Sequence, residues 1–196
     1  MFTGIVTSIG KIDKVAPRDG GLRLTIDAGM LDLSDVGVGE SIAVNGVCLT
    51  VIAASGDRFD VDVSQETLNC TVGLDGASEV NLEKSLRLSD RLGGHLMSGH
   101  VDGVGEVTRF EPVGESYILV IRAPGDLAKY IARKGSITVN GVSLTVNRVE
   151  GTEFDINLIP HTIDVTNLKH FKPGSRVNLE VDLIARYIER LQHYGA

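Results

Sequence analysis

Ser41–Val51 reads SIAVNGVCLTV, and Ser136–Val146 reads SITVNGVSLTV. Nine of the eleven positions are identical, at an offset of 95 residues. The same offset lays Phe2-Thr3-Gly4 on Met97-Ser98-Gly99, Phe59-Asp60-Val61 on Phe154-Asp155-Ile156, and Glu66-Thr67-Leu68 on His161-Thr162-Ile163. A later insertion moves the offset to 97, where Val80-Asn81-Leu82-Glu83 meets Val177-Asn178-Leu179-Glu180. Solenoid units run to about 20–50 residues, so a repeat of this length is a whole domain. The chain is a tandem duplication.

Asn-Gly between two β-rich runs marks a two-residue hairpin loop, because a type I′ turn requires positive φ at both central residues. With Asn45-Gly46 as the loop, Val44 faces Val47, Ala43 faces Cys48, Ile42 faces Leu49 and Ser41 faces Thr50. Side chains alternate along a strand, so Ile42, Val44, Val47, Leu49 and Val51 share a core face. Ser41, Ala43, Cys48 and Thr50 share the other; the second copy places Ser136, Thr138, Ser143 and Thr145 there. Such a face is either an ordinary solvated sheet surface or the floor of a site. The thiol speaks for a site, since free Cys is normally a buried small hydrophobe.

Residues 1–92 and 93–181 are expected to form the two domains, followed by a different segment at 182–196. The net charge of −7 disfavours nonspecific attraction to nucleic acid or anionic membranes. MFTGIVTSIG has neither a basic start nor a long apolar run, so no signal peptide is expected, and no stretch reaches membrane-spanning length. Cys48 and Cys70 fall in one repeat without counterparts in the other, which points to a reducing cytoplasm rather than a disulfide framework.

In order, strands are expected at Ile5–Ile12, Leu22–Ile26, the Ser41–Ile52 hairpin, Phe59–Val63 and Glu79–Leu82. Gln65–Cys70 reads as one helical turn, and Pro124–Ala132 as a short helix with Pro in its first turn. Short strands with turn signals about every ten residues predict an all-β fold of two small closed barrels. Glu83–Gly94 reads as the linker, with Gly93-Gly94 as its joint. After Val181 the period becomes helical: Leu183, Ile184, Tyr187, Ile188, Leu191 and Tyr194 form one apolar stripe, which predicts an oligomer seam.

Gly37-Val38-Gly39 and Gly103-Val104-Gly105 lack a third Gly and a following helix, which argues against dinucleotide binding. His95 and His100 have no Cys pair or carboxylate at ligand spacing, so no metal is expected. The repeats differ most at polar positions: Ile5 becomes His100, Cys48 becomes Ser143, Asp62 becomes Asn157, Gln65 becomes Pro160 and Glu66 becomes His161. Each is open to a reading as neutral drift, but together they suggest two related pockets with unequal chemistry. An imidazole moves protons near neutral pH and an isoleucine does not.

MFTGIV at the start, GGHLMSGHVDG between the repeats, the paired NGVCLTV and NGVSLTV hairpins, and LIPHT resemble the riboflavin synthase family of alpha-chain type. The resemblance runs from Met1 through the terminal helix. It implies two six-stranded Greek-key β-barrels and a C-terminal helix through which three chains assemble. It also implies a cofactor-independent transferase that dismutates two molecules of 6,7-dimethyl-8-ribityllumazine. A four-carbon unit would pass between them, giving riboflavin and 5-amino-6-ribitylaminouracil. Each barrel would hold one lumazine, with the working site between barrels of different chains; association with a lumazine synthase is left open.

Carried over by position, Gly4, Ile5 and Val6 are expected to line the first pocket with Cys48, Leu49 and Thr50 and with Asp62, Val63, Ser64, Gln65, Glu66 and Thr67. Gly99, His100, Val101 and Lys134 are expected in the second, with Ser143, Leu144 and Thr145 and with Asn157, Leu158, Ile159, Pro160, His161 and Thr162. Ser41, Cys48 and His100 are the expected catalytic residues: a nucleophile for one lumazine's C7, and a base for a methyl proton of the other. Thr145 and Asp182 are candidates for orienting roles.

Two rival classes follow from the same residues. A noncatalytic lumazine- or flavin-binding relative of the same fold can dispense with the thiol and the second pocket, and here both are present. A single-strand nucleic-acid binder wants aromatic platforms and a basic groove; the chain has no Trp, nine Phe and Tyr, and a negative charge.

Overall fold

In the computed structural model, which describes residues 1–194, both Asn-Gly turns adopt the conformation their residue types permit. Asn45 and Gly46 have φ of 48° and 81°, and Asn140 and Gly141 have 46° and 82°. The register follows from the turn. In β3 (Ser41–Val44) and β4 (Val47–Ser55), Val44 pairs with Val47, Ala43 with Cys48, Ile42 with Leu49 and Ser41 with Thr50. The copy pairs Val139 with Val142 and Thr138 with Ser143. Ile42, Val44, Val47, Leu49 and Val51 are all buried, as the alternation requires.

β1 (Ser8–Arg18), β2 (Gly21–Asp27), β5 (Arg58–Ser64) and β6 (Glu79–Lys84) complete an antiparallel closed barrel in the order β1-β2-β5-β4-β3-β6. Its centre is filled by Ile12, Leu24, Ile26, Phe59, Val61 and Leu82. α1 (Gln65–Cys70) follows β5, where Ser64 caps it by accepting the Thr67 N–H.

The second repeat uses β7 (Gly103–Val113), β8 (Ser116–Arg122), β9 (Ser136–Val139), β10 (Val142–Thr145), β11 (Arg148–Glu150), β12 (Glu153–Leu158) and β13 (Arg176–Val181). They form a seven-stranded sheet in the order β10-β9-β13-β7-β8-β12-β11. This is the first barrel's order with the counterpart of β4 divided in two. The first repeat absorbs an irregularity here as a register shift between Val51 and Ala53. In the second, the chain leaves the ladder at Val146-Asn147, and Asn147 N–H bridges to the Asp155 carbonyl at 2.9 Å.

Three sequence expectations change. Pro124–Ala132 contains only a 3-10 turn at Ala128–Tyr130. Gly93-Gly94 is not a free joint, because a Cβ on Gly94 would lie 2.1 Å from the Thr3 carbonyl and 2.7 Å from Ser143 Cβ. The strands run beyond the expected first one: β1 begins at Ser8, and Phe2 instead bridges Met97 across the repeats, exchanging hydrogen bonds of 2.9 and 3.1 Å.

The turns also meet. A Cβ on Gly46 would lie 2.8 Å from Gly141 N, so the hairpin tips are in contact. Around them Asn45, Asn81, Asn140, Asn167 and Asn178 are buried and bonded across the repeats. Asn81 Nδ2 donates to the Asn140 carbonyl at 2.9 Å, and Asn178 Nδ2 donates to the Asn45 carbonyl at 3.1 Å. Buried amides satisfied this way hold a unique arrangement, since losing one partner leaves the others without hydrogen bonds.

α2 (Pro160–Asp164) is the counterpart of α1, and α3 (Leu183–Gln192) is the terminal helix. The expected segment 182–196 ends with Gly195 and Ala196, which lie outside the described residues. The polar side of α3 is tied to its own repeat, Glu189 to Lys129 and Tyr130 and Arg186 to Asp102. The apolar stripe is left exposed, with Tyr187 at 65% and Leu191 at 74%. No helix among the described residues is long and apolar enough to cross a membrane.

Candidate functional site

Each repeat begins with a short segment that does not stay at home. Gly4, in the first repeat, accepts through its carbonyl the Ser143 N–H of the second repeat's hairpin at 2.9 Å. Gly99, in the second, accepts the Cys48 N–H of the first repeat's hairpin at 2.8 Å. A Cβ at Gly4 would fall 2.5 Å from Ser143 Cβ, and one at Gly99 would fall 2.7 Å from Cys48 Cβ. Only glycine tolerates that approach at φ values of 76° and 78°. Val101 accordingly packs on the first core and Val6 on the second.

This crossover regroups the expected pocket residues. Gly99 and Val101 lie against the first repeat's hairpin and core, while Gly4 and Val6 lie against the second's. Sequence position alone assigns them the other way. The reason is physical: the Phe2–Met97 bridge carries each leading segment past its own barrel to the other hairpin.

The surface on the first barrel is apolar at its floor. Ala43 and Cys48 pack with Phe2 and Met97 in a small cluster of their own, with Cys48 half-buried. Ser41 is half-buried on the same face, opposite Thr50. His100 is exposed at the rim, and its imidazole has no hydrogen bond among the described residues. At the far side Asp62 receives Arg23 through Nε and Nη2, both at 2.7 Å. That hydrogen-bonded guanidinium holds the Asp62 carboxyl below the usual carboxylate range. Arg23 has Ile118 as its counterpart, so the second surface lacks this pair.

The surface on the second barrel is polar. His95 is buried, with Nδ1 2.7 Å from Ser143 Oγ and Nε2 3.4 Å from Thr138 Oγ1. Burial pushes its pKa down, and the nearby Asp182 charge pulls only partly the other way. Asp182 also caps α3, accepting the Ile184 N–H at 3.0 Å. Lys134 sits at φ 65°, where the first repeat has Gly39 at φ 95°. Its Nζ reaches Asn147 at 3.4 Å. A lysine in the left-handed region is uncommon, and here it occupies the same turn position as Gly39. Pro160, His161 and Thr162 open α2 above this surface.

Neither surface is enclosed: Thr50 and His100 are exposed on the first, Ile5 and Thr145 on the second. The open hollow of about 530 Å³ beside Asp62, Val63 and Ser64 is bounded by Arg18–Arg23 rather than by Cys48 or His100, and that of about 630 Å³ beside Thr3, Ile5 and Gly93 is lined by the first repeat and the linker. No group of three or more His, Cys, Asp or Glu able to hold a metal occurs among the described residues. His95 is the residue that motif reading missed as a partner of the site. Its partners Ser143 and Thr138 lie 48 and 43 residues further along, so no local spacing marks it.

A family model described as lumazine binding domain matches residues 3–85 and 98–182. The riboflavin synthase of Photobacterium phosphoreum is 45% identical over 197 residues, covering 97% of this chain and 88% of that one. Among solved structures, LumP complexed with riboflavin superposes with a TM-score of 0.83 at 32% identity, covering 92% of this chain and 99% of that one. LumP complexed with 6,7-dimethyl-8-(1′-D-ribityl) lumazine gives a TM-score of 0.82 at 30% identity, with the same coverage.

Proposed function

We propose that this chain, which belongs to the riboflavin synthase family of tandem lumazine-binding domains, dismutates 6,7-dimethyl-8-ribityllumazine. One lumazine gives up a four-carbon unit and the other accepts it, yielding riboflavin and 5-amino-6-ribitylaminouracil. The observation that carries the reading is the pair of like but unequal surfaces on one duplicated scaffold. Two copies of one substrate suit two copies of one domain, and opposite roles in the reaction suit a thiol–imidazole surface and a hydroxyl–imidazole surface.

The residues divide the work by their chemistry. His100, exposed and with no hydrogen bond to its imidazole among the described residues, takes and returns protons at the first surface, where an acidic methyl group must lose one. Cys48 and Ser41 lie on that floor and place a nucleophile or its water against the ring. On the second surface, buried His95 favours its neutral form and can accept the Ser143 proton across 2.7 Å. The electrophilic lumazine ring supplies much of the activation, so holding two rings face to face is the largest service of the protein.

The open surfaces require a facing partner. The exposed stripe of α3, from Ile184 to Tyr194, is the seam through which a homotrimer forms and sets the first barrel of one copy against the second barrel of another. Its place of work is the cytoplasm, and neither metal nor organic cofactor takes part.

The test is incubation of the purified chain with the lumazine alone, with riboflavin followed by fluorescence and substrate loss by absorbance. One riboflavin for two lumazines consumed, unaffected by chelator, is the expected result. The likeness to LumP gives a second reading, a lumazine or flavin carrier. Tight binding without turnover would favour that reading and contradict the first.

A further inference from the structure

We propose that Glu180 and Glu83 are positioning residues, each holding the leading segment of its own repeat against the other repeat's hairpin. The inference rests on the functional reading above and concerns how the two surfaces are kept in register. Glu180 is 4% exposed in β13, and Glu83 is 6% exposed in β6. The Ser98 N–H and Ser98 Oγ–H donate to Glu180 Oε1 at 2.6 and 2.7 Å, and the Gly99 N–H donates to Oε2 at 3.0 Å. Glu83 repeats the pattern, receiving Thr3 N–H and Oγ1–H at 2.7 and 2.6 Å and Gly4 N–H at 2.9 Å.

The chain of contacts runs on to the chemistry. Ser98 Oγ, fixed by Glu180, accepts the His100 N–H at 3.3 Å, while the Gly99 carbonyl accepts Cys48 N–H at 2.8 Å. Thr3 Oγ1, fixed by Glu83, accepts the Ile5 N–H at 3.1 Å, while the Gly4 carbonyl accepts Ser143 N–H at 2.9 Å. Since the His100 imidazole has no hydrogen bond of its own among the described residues, backbone contacts set where it stands. One carboxylate therefore orients both the proton-transfer group and the strand that carries the thiol.

A buried carboxylate is costly, and burial indeed pushes both glutamates above their ordinary pKa. Neither is relieved by a Lys or Arg; the relief comes chiefly from convergent N–H and O–H donors, with the N-terminal ammonium adding to it at Glu83. An ionised carboxylate accepts on both oxygens, which a glutamine of the same length cannot do. In Glu180→Gln one amide group must present its own N–H to a backbone or hydroxyl donor, loosening one end of the clamp.

The experiment compares the full-length protein with Glu180→Gln, Glu180→Asp and Glu83→Gln, and places Glu180→Gln also in a His100→Ala background. Steady-state kcat and KM for the lumazine are read beside amide hydrogen exchange. Glu180→Gln is expected to lower kcat about tenfold or more, with a smaller change in KM, because small displacements of a catalytic group are expensive. In the His100→Ala background the same change should cost less than in the parent, the remainder being its effect on the strand that carries Cys48. Exchange should quicken at Gly99 and His100 in Glu180→Gln, and at Gly4 and Ile5 in Glu83→Gln, each leaving the other segment protected. Glu180→Asp restores the charge but not the reach and should fall between.

A folded Glu180→Gln protein with kcat within about twofold of the parent would overturn the proposal, as would an undiminished loss in the His100→Ala background. Absence of turnover in the parent would overturn the functional reading instead. The exchange pattern still decides the clamp in that case: unchanged protection at Gly99 and His100 would refute it.

Discussion

The two hairpins share nine of eleven residues, yet they present different chemistry. At the first, Ala43 and Cys48 rest on Phe2 and Met97, an apolar floor beneath a thiol. At the second, Thr138 and Ser143 close around the ring of His95. The backbone, turn conformation and core side are common to both, so duplication kept what the barrel needs and changed what points away from it. Two substitutions inside the hairpin, one residue before the repeat and the exchange of Ile5 for His100 on the leading segment carry most of the difference. The difference teaches that a duplicated fold acquires two roles cheaply when its chemical face is not its structural face.

The sharpest way to break this comparison is to remove its proton-transfer group. His100→Ala should reduce kcat for riboflavin formation by about 100-fold or more, the ordinary scale of general acid–base catalysis. Ile5 occupies the equivalent place on the other crossover, and Ile5→Ala should reduce kcat by less than about fivefold, having no proton to move. Equal losses at the two positions would mean that both act only by filling space, and the proposed division of labour would fail.

A smaller effect sharpens the second surface. Burial lowers the pKa of His95, so folding favours its neutral form while the unfolded chain binds a proton more readily. Stability from this group is therefore present above the unfolded pKa and is lost as pH falls from about 6.5 through the lower folded value. Across that window the parent should lose thermal stability more steeply than His95→Asn, with Asp182, the charge that opposes the shift, kept in both proteins. Parallel pH slopes for the two proteins would show that His95 is not held neutral.

Much of the frame was legible because local rules decide it. The Asn-Gly turns set the register of both hairpins, and the register set which side chains face the core. The internal repeat then doubled every strand assignment. The crossover was hidden for a reason of symmetry. Gly4 and Gly99 bear the same relation to the two hairpins, so a segment that stays and a segment that crosses leave the same trace in the letters. The long-range hydrogen bonds of Gly4 with Ser143 and of Gly99 with Cys48 distinguish them.

Glu83 and Glu180 were visible as a repeated Val-Asn-Leu-Glu, but a glutamate in a strand reads as solvent-facing because it is seldom buried. The neighbouring asparagines were hidden likewise, their partners lying in the other repeat. The closed joint at Gly94 shows the same limit: glycine permits a bend and equally permits close approach, and here Thr3 and Ser143 lie against it.

The crossover and the facing of two copies make one claim that subunit mixing tests directly. His100→Ala chains co-expressed with Ser143→Ala chains, and isolated as mixed oligomers through two tags, carry their defects on different surfaces. Some interfaces in the mixture join an intact first surface to an intact second one, so riboflavin formation should exceed that of either variant alone. His100→Ala mixed with Cys48→Ala carries both defects on one surface and should show no recovery. Recovery in the second mixture, with none in the first, would place His100 on the second barrel and contradict the account.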